Sequence, residues 1–403
     1  MISVMDKLYF CIMRSLTADH IFNGTSFFEN ALLVLSDDGT VHDLLLAPDE
    51  SQLLNAEKFS GTLCPGLVNT HCHLELSHML AKVQPGRGFV QFARELIPQR
   101  NYISPEEITE VCVKADAEMY ANGIQAVGDI SNVDLSFRAK QQSKMKYHTF
   151  IELLGLNPQV AQQQFEAGLA LKATAPQRKS LSPHAPYSVS AELLRLIERE
   201  EERAGTVITI HNQESKAESE FTEKGTGDVL GIFEMFGIDI SWYQPSGKNS
   251  LHTHLSNLLG TFNLVLVHNT FTSAEDVQWA HTQHEHLYWC LCPRANLYIE
   301  ETLPDVMMLR ENNCRLTIGT DSLASNYTLS VLDELKVLHK NFPAIPVAEL
   351  LTWATKNGAE ALRMDALGSF EKGKDPGVVL LEGVSPDQIS STARTSRVHQ
   401  IGT

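Results

Sequence analysis

The sequence predicts an α/β fold: a (β/α)8 barrel (TIM barrel) with a small β-sandwich domain that both ends of the chain build. Eight short apolar runs recur along the middle of the chain, and amphipathic stretches separate them. Both ends of the chain, in contrast, resemble short strands and turns. A chain of 403 residues has room for one large barrel and a small accessory domain, although its length alone would also allow two or three ordinary domains.

The N-terminal part predicts a small β unit. A strand over 28–35 is followed by the turn sequence Asp37-Asp38-Gly39-Thr40 and by a second strand over 41–46. The tail after Gly373 is again strand-like, so we expect it to return to the same unit. The sequence therefore predicts a discontinuous β-sandwich domain, 1–60 plus 374–403, and a barrel domain over 61–373.

The barrel strands are predicted from the eight apolar runs, which lie at 67–70, 125–129, 147–154, 179–183, 206–210, 263–267, 287–291 and 314–318. Amphipathic stretches between them, such as 106–120 and 191–203, predict helices. Alternation of strand and helix at this length is the pattern of a parallel barrel.

Composition excludes several classes of protein. With 32 Lys and Arg against 49 Asp and Glu, the net charge of −17 repels nucleic acids and anionic membrane surfaces. No run approaches the roughly 18 apolar residues of a membrane span, and the N-terminus lacks the pattern of a signal peptide. The seven cysteines are scattered and odd in number, which indicates reduced thiols. We expect a cytoplasmic protein with a small-molecule partner, not a nucleic-acid or membrane partner.

The positions of the 16 histidines are the main indication of function, because active sites of such barrels lie at the carboxyl ends of the strands. Polar residues follow the first, fourth, fifth, sixth and eighth strands: His71, His73, His184, His211, His268 and Asp321. His71 and His73 are spaced so that both imidazoles point to one side. With His211 and Asp321 they would form a nitrogen and oxygen site suited to Zn²⁺ or Fe²⁺.

We do not expect the other histidine and cysteine pairs of the sequence to bind a metal ion. His252 and His254 fall in a predicted helix, where residues two apart diverge. His284 and His286 precede the seventh strand, at the wrong end of the barrel. Cys290-Leu291-Cys292 lacks a second cysteine pair and is more typical of a core strand.

Several motifs together resemble those of the amidohydrolase superfamily. They are Pro65-Gly66-Leu67-Val68-Asn69-Thr70-His71-Cys72-His73, His211-Asn212-Gln213-Glu214, Leu266-Val267-His268-Asn269 and Gly319-Thr320-Asp321-Ser322. Ser182-Pro183-His184-Ala185-Pro186-Tyr187 and Cys292-Pro293-Arg294-Ala295-Asn296 look like its chlorohydrolase and aminohydrolase branch. That branch includes S-adenosylhomocysteine, aminodeoxyfutalosine and guanine deaminases and triazine hydrolases.

The resemblance implies one divalent metal ion, with zinc preferred and iron(II) as the alternative. Members with two ions usually have a bridging lysine after the fourth strand, where this chain has Ser182-Pro183-His184. His184 then becomes a substrate contact. Dimerisation is common in the family, so a homodimer is the assembly that the resemblance suggests.

The resemblance also implies a mechanism. The metal ion would supply hydroxide at neutral pH. Glu214 would move a proton from water to the ring nitrogen, His268 would orient the hydroxide, and Asp321 would pass a proton to departing ammonia.

Residues on the substrate side are open to more than one interpretation. Glu75 could contact the substrate, lie behind the site or be exposed, and Asn296 is expected to face the mouth of the barrel. The segment 86–92, which forms a lid in relatives, has no acidic residue to bind a ribose, and this argues against a nucleoside substrate.

The sequence thus predicts a metal-dependent hydrolase that deaminates a small aminated heterocycle or nucleoside-like compound. Hydrolysis of another C–N bond or a C–Cl bond in a heterocycle would use the same residues. A non-catalytic homologue is the third alternative; it predicts loss of a ligand or of Glu214, whereas this chain retains all of them.

Overall fold

A computed structural model describes residues 13–202 and 206–398. Within these ranges the strands are β1 Arg14–Phe22, β2 Phe27–Phe28, β3 Leu32–Leu35, β4 Val41–Leu45, β5 Glu57–Pro65, β6 Leu67–Cys72, β7 Ile124–Ser131, β8 Lys146–Leu153, β9 Arg178–Pro183, β10 Val207–Asn212, β11 Asn263–His268, β12 Leu287–Leu291, β13 Leu316–Ile318, β14 Val378–Val384 and β15 Ile389–Arg397.

The α-helices of the same ranges are α1 Glu50–Leu54, α2 Phe89–Gln99, α3 Pro105–Ala121, α4 Phe137–Gln142, α5 Ala161–Thr174, α6 Ala191–Glu201, α7 Lys216–Lys224, α8 Leu230–Met235, α9 Ser250–Leu255, α10 Ala274–Gln283, α11 Pro293–Glu300, α12 Val306–Glu311, α13 Val331–Asn341, α14 Val347–Thr352 and α15 Gly358–Ala361.

Strands from both chain ends form one sheet of seven strands. Its order is β15-β14-β5-β1-β3-β4, and β2 pairs with β1. All neighbours are antiparallel except β1 and β5. The prediction that the tail returns to the N-terminal strands is confirmed, because β14 pairs with β5. The ends of the predicted small domain, 1–12 and 399–403, lie outside the described residues.

The eight predicted barrel strands are all present, as β6 to β13. They form two parallel sheets of four strands, β6-β7-β8-β9 and β10-β11-β12-β13, each in chain order. Every residue of β10, β11 and β12 is buried. Strands covered on both faces are continuous apolar runs, and this explains why the sequence predicts them well.

The edges of the two parallel sheets meet at two places. Between β9 and β10, the backbone N–H of His211 donates to the carbonyl of His184 at 2.9 Å. Between β13 and β6, the N–H of Thr320 donates to the carbonyl of His71 at 3.0 Å, and Cys72 pairs with Asp321 in a short parallel bridge. Both junctions lie at the carboxyl ends of the strands, where they position predicted site residues.

The helices begin at ordinary capping signals. Ser104 caps α3, with Glu107 completing a capping box and Pro105 in the first turn. Ser190 caps α6, which buries Leu193, Leu194 and Ile197 on one face. Predicted helix 106–120 is thus confirmed, and predicted helix 191–203 is confirmed as far as Glu201, where α6 ends; residue 203 lies outside the described part.

The six cysteines in the described residues have free thiols, and all but the partly buried Cys314 are buried. Cys290 and Cys292 lie in the core, as predicted. No helix in the described part of the chain is both long and apolar enough to cross a membrane.

Candidate active site

The four predicted metal ligands converge at the carboxyl ends of the strands. Nε2 of His71 and Nε2 of His73 each lie 3.6 Å from the same Oδ1 of Asp321. Nε2 of His211 lies 3.3 Å from Nε2 of His73. The four side chains therefore lie close together, and the groups of three that could share an ion include His71, His73 and Asp321, and His71, His211 and His268.

The protonation of His71 and Asp321 suits metal binding. Burial lowers the pKa of His71 to about 4, so its imidazole is neutral and has a free lone pair. Although burial opposes it, the neighbouring imidazoles of His71, His73 and His268 hold the pKa of Asp321 well below its usual range. Both ring nitrogens of His71 are buried, and neither has a hydrogen-bond partner within the described part of the chain. A divalent ion fits this donor set and would satisfy Nε2 of His71.

Neighbouring groups fix the orientation of the ligands. Nδ1 of His211 donates to the carbonyl of His184 at 2.7 Å, which directs Nε2 into the site. The hydroxyl of Ser325 donates to the second carboxylate oxygen of Asp321. Beneath the loop that carries His73, Oδ1 of Asp129 accepts the N–H of Leu74 at 2.7 Å.

The backbone is strained at the site. His268 has a φ of 74°, and Asp321 has a φ of 56°, both in the left-handed region that non-glycine residues avoid. Such strain clusters at functional positions, where it aims a side chain that a regular strand would direct elsewhere.

Glu214 and His268 lie together beside the predicted ligands. Oε1 of Glu214 is 3.5 Å from Nε2 of His268. Burial raises the pKa of the Glu214 carboxyl to about 8 and lowers that of His268 to about 4. A carboxyl group that titrates near neutral pH is suited to both accepting and donating a proton.

A cavity of about 580 Å³ opens over these residues. His73, His184, His211, Glu214, His268 and Asp321 line its inner end. Its outer wall is mainly apolar and comes largely from α2, with Phe92 and Leu96, and from α8, with Ile232 and Phe233. The cavity is large enough for a small heterocycle that carries a substituent.

Two of the three predicted substrate contacts lie behind the cavity wall. Glu75 is buried behind Arg100, which donates to it, and it also accepts the N–H of Asn132 at 3.2 Å. Asn296 donates to the hydroxyl of Thr270. His184 alone of the three faces the cavity.

The sequence reasoning missed several polar residues of the cavity, among them Arg100, Asn132 and Glu152. Glu152 lies at the end of β8, the third parallel strand, with Oε1 3.6 Å from Nδ1 of His211. Burial opposes ionisation of Glu152, but His184 and His211 hold its pKa at about 2. The sequence feature that could have indicated Glu152 is the presence of an acidic residue near the carboxyl end of the predicted strand 147–154.

The other histidine pairs lie elsewhere. His252 and His254 are in α9, as predicted, where His254 bonds the Ser250 carbonyl and His252 stacks on Trp279. His284 and His286 precede β12. Among the described residues, none of these four belongs to a group of three side chains able to share a metal ion.

Parallel strands whose carboxyl ends bring histidines and a carboxylate around one cavity are typical of metal-dependent hydrolases. Residues 62–400 match the model of the amidohydrolase family, and the chain belongs to that family. It is a hydrolase that acts on C–N bonds, and its family typically depends on a divalent metal ion.

Individual relatives agree with this assignment. The chain is 28% identical over 335 residues to an aminodeoxyfutalosine deaminase of a Nitratiruptor species, covering 79% of this chain and 78% of the relative. Its fold is similar to that of Helicobacter pylori aminofutalosine deaminase in complex with methylthio-coformycin, with a TM-score of 0.80, 23% identity and 93% of each chain covered. An adenosine deaminase of Xanthomonas campestris with bound zinc has a TM-score of 0.71 at 19% identity, covering 92% of this chain and 85% of that one.

Proposed function

We propose that the protein is a metal-dependent aminohydrolase of a small aminated heterocycle or nucleoside-like compound. Water would replace the amino group on a ring carbon, giving the oxo product and ammonia. The observation that carries the proposal is the convergence of three imidazoles, Asp321 and Glu214 on one end of a cavity. The names of the relatives, which are deaminases of nucleoside-type compounds, support the same reaction.

His71, His73, His211 and Asp321 would hold one divalent ion, for which zinc is preferred and iron(II) is the alternative. Zinc bound to a relative of the same fold supports the preference. When bound, such an ion lowers the pKa of a coordinated water to about 7 and so supplies hydroxide at neutral pH. Lys140, a buried lysine near the site, pairs with Asp129 at 2.6 Å, and this supports one ion instead of a lysine-bridged pair.

The side chains around the ion would transfer the protons. Glu214 takes a proton from the attacking water and gives it to the ring nitrogen, which removes the need for a strong base in solution. His268, neutral because it is buried, orients the water through Nε2. Asp321 passes a proton to the departing ammonia. His184 contacts the substrate, and Glu75 acts on it through Arg100, which lines the cavity.

We further propose that the two parallel sheets form one closed (β/α)8 barrel over 61–373. The hydrogen bonds that join β9 to β10 and β13 to β6 support closure. The small domain would comprise 1–60 plus 374–403, and the pairing of β14 with β5 supports it. That the seven-stranded sheet is a β-sandwich stays a prediction.

A cytoplasmic location is proposed from the free cysteines. The homodimer is likewise a proposal, which sedimentation of the purified protein would test.

Substitution Glu214→Gln tests the proposed reaction. The amide keeps the shape of the side chain but cannot shuttle a proton, so ammonia release should fall by about 10²–10⁴-fold. Metal content, measured by elemental analysis, should stay equal to that of the wild type. Glu220→Gln, an exposed change on helix α7 that follows Glu214, is the matched control. Unchanged turnover in the Glu214→Gln protein would remove Glu214 from its role.

A further inference from the structure

One oxygen of Glu152 is unusual among the polar atoms of the cavity. Glu152 is 95% buried, since only 5% of its surface is exposed, and it lines the cavity. Its Oε1 has no hydrogen-bond partner in the described part of the protein. A buried carboxylate oxygen without a donor costs free energy, so it marks a position where a ligand would supply the donor.

The other oxygen of Glu152 is held by a polar chain. Oε2 accepts from Nδ2 of Asn132 at 2.9 Å. Oδ1 of Asn132 accepts from Arg100 at 2.9 Å, and Arg100 also pairs with the buried Glu75. The network fixes the side chain of Glu152, so the free Oε1 keeps a defined direction.

The imidazole of His211 does not satisfy Oε1. Nδ1 of His211 is 3.6 Å away, and it already donates to the carbonyl of His184 at 2.7 Å. A contact of 3.6 Å is also too long for a hydrogen bond. The described part of the protein therefore leaves Oε1 without a donor, although Glu152 lines the cavity.

His184 adds a second polar atom beside it. The hydroxyl of Ser188 lies 2.7 Å from Nδ1 of His184 and 3.1 Å from the carbonyl of Ala185, to which it donates. The hydroxyl oxygen is then free to accept the proton of Nδ1, which leaves Nε2 of His184 as an acceptor. Ligand atoms of Glu152, His184 and His211 all lie within 4.8 Å of one another.

We infer that Glu152 is a specificity-determining residue that accepts a hydrogen bond from an N–H or O–H group of the substrate. The inference rests on the proposed function and adds to it a requirement on the substrate: a donor close to its reacting ring. A sugar hydroxyl and a ring N–H share this chemistry. Glu152 thereby supplies the acidic group that the segment 86–92 lacks, from the end of β8 instead of from a lid.

Two pairs of compounds distinguish a sugar hydroxyl from a ring N–H as the donor to Glu152. Adenosine and 2′,3′-dideoxyadenosine differ in sugar hydroxyls, while adenine and 9-methyladenine differ in a ring N–H. The ratio of kcat/KM within each pair is measured for the wild type and for Glu152→Gln. Asp116→Asn, a buried carboxylate remote from the cavity that bonds Tyr147, is the matched control. Should Glu152→Gln fail to fold, Glu152→Asp, which withdraws the carboxylate, replaces it.

We expect the wild type to prefer the donor-bearing member of one pair by about 10- to 100-fold, the value of a hydrogen bond to a charged group. Glu152→Gln should bring that ratio close to one through loss on the donor-bearing member alone, with metal content unchanged. The control should keep the wild-type ratio. No preference in either pair, a preference that survives Glu152→Gln, or loss of metal in that variant would each overturn the inference.

Failure of the proposed function has a different result from failure of the inference on Glu152: the wild type would release no ammonia from any amino compound. Dissociation constants of the same four probes, measured by calorimetry, then decide the role of Glu152. A difference within one pair that disappears in Glu152→Gln supports the inference, and equal or absent binding of all four overturns it.

Discussion

At the scale of single residues, the site depends on a close approach of the main chain at Gly319. A Cβ added there would lie 2.8 Å from Cβ of His71, 2.8 Å from Sγ of Cys290 and 3.0 Å from Sγ of Cys292. No side chain fits this space without moving the strand that carries His71. The glycine two positions before Asp321 therefore serves packing, and through packing it serves the predicted metal site.

Gly319→Ala should both destabilise the fold and weaken metal binding. Overpacking of this kind costs about 1–3 kcal/mol of unfolding free energy, and the displaced His71 should lower metal affinity. Urea unfolding and elemental analysis of the same sample measure the two effects. A variant with wild-type stability and full metal content would contradict this account of Gly319.

The convergence of the predicted metal ligands could be expected from the sequence, whereas the position of Glu152 could not, for a physical reason. His71, His73, His211 and Asp321 belong to motifs that end strands, and the parallel fold brings strand ends together. The role of Glu152 depends on which oxygen Asn132 binds and which it leaves free. Such satisfaction of hydrogen bonds is a property of the folded neighbourhood and leaves no local pattern in the sequence.

At the scale of elements, α9 shows how a histidine pair outside the site affects stability. His254 is buried, its Nδ1 bonds the Ser250 carbonyl at 2.8 Å, and Nε2 has no partner among the described residues. Burial lowers its pKa from 6.5 to about 4. The folded protein therefore keeps His254 neutral at a pH where the unfolded chain binds a proton.

The stability of the fold should consequently fall in acid through His254. Because the folded pKa is depressed, the contribution is complete above pH 6.5 and is lost as the pH falls toward 4, by about 1.4 kcal/mol per pH unit. His254→Leu removes this dependence. Urea unfolding of both proteins at several pH values should give free energies that converge or cross as the pH falls, whereas parallel curves would contradict the assignment.

The elements differ in how well the sequence predicts them. Most of the buried parallel strands, such as β11 and β12, are nearly continuous apolar runs, and all eight were predicted within a few residues. β1 and β5 were not assigned individually, because their partly exposed positions break the apolar pattern. Predicted strand 28–35 also proved to be two elements, β2 and β3, separated at Asn30, which has a φ of 51°.

At the scale of the whole molecule, the fold gathers the predicted ligands and Glu214 at the carboxyl ends of the parallel strands. The buried carboxyl of Glu214, the neutral imidazole of His71 and the strained backbone of His268 and Asp321 meet there. The parallel strands and the convergence of the predicted ligands could thus be expected from the order of motifs, whereas the substrate cavity arises from α2, α8 and loops whose sequences carry no such order.

The central claim is that this site releases ammonia from an aminated ring. Its most direct test is ammonia release by zinc- or iron-loaded protein across aminated purines, pyrimidines, nucleosides and triazines. We expect release from at least one class, with the preferred ring defining the pocket. Absence of ammonia release from every compound of the panel, with metal bound stoichiometrically, would contradict the claim.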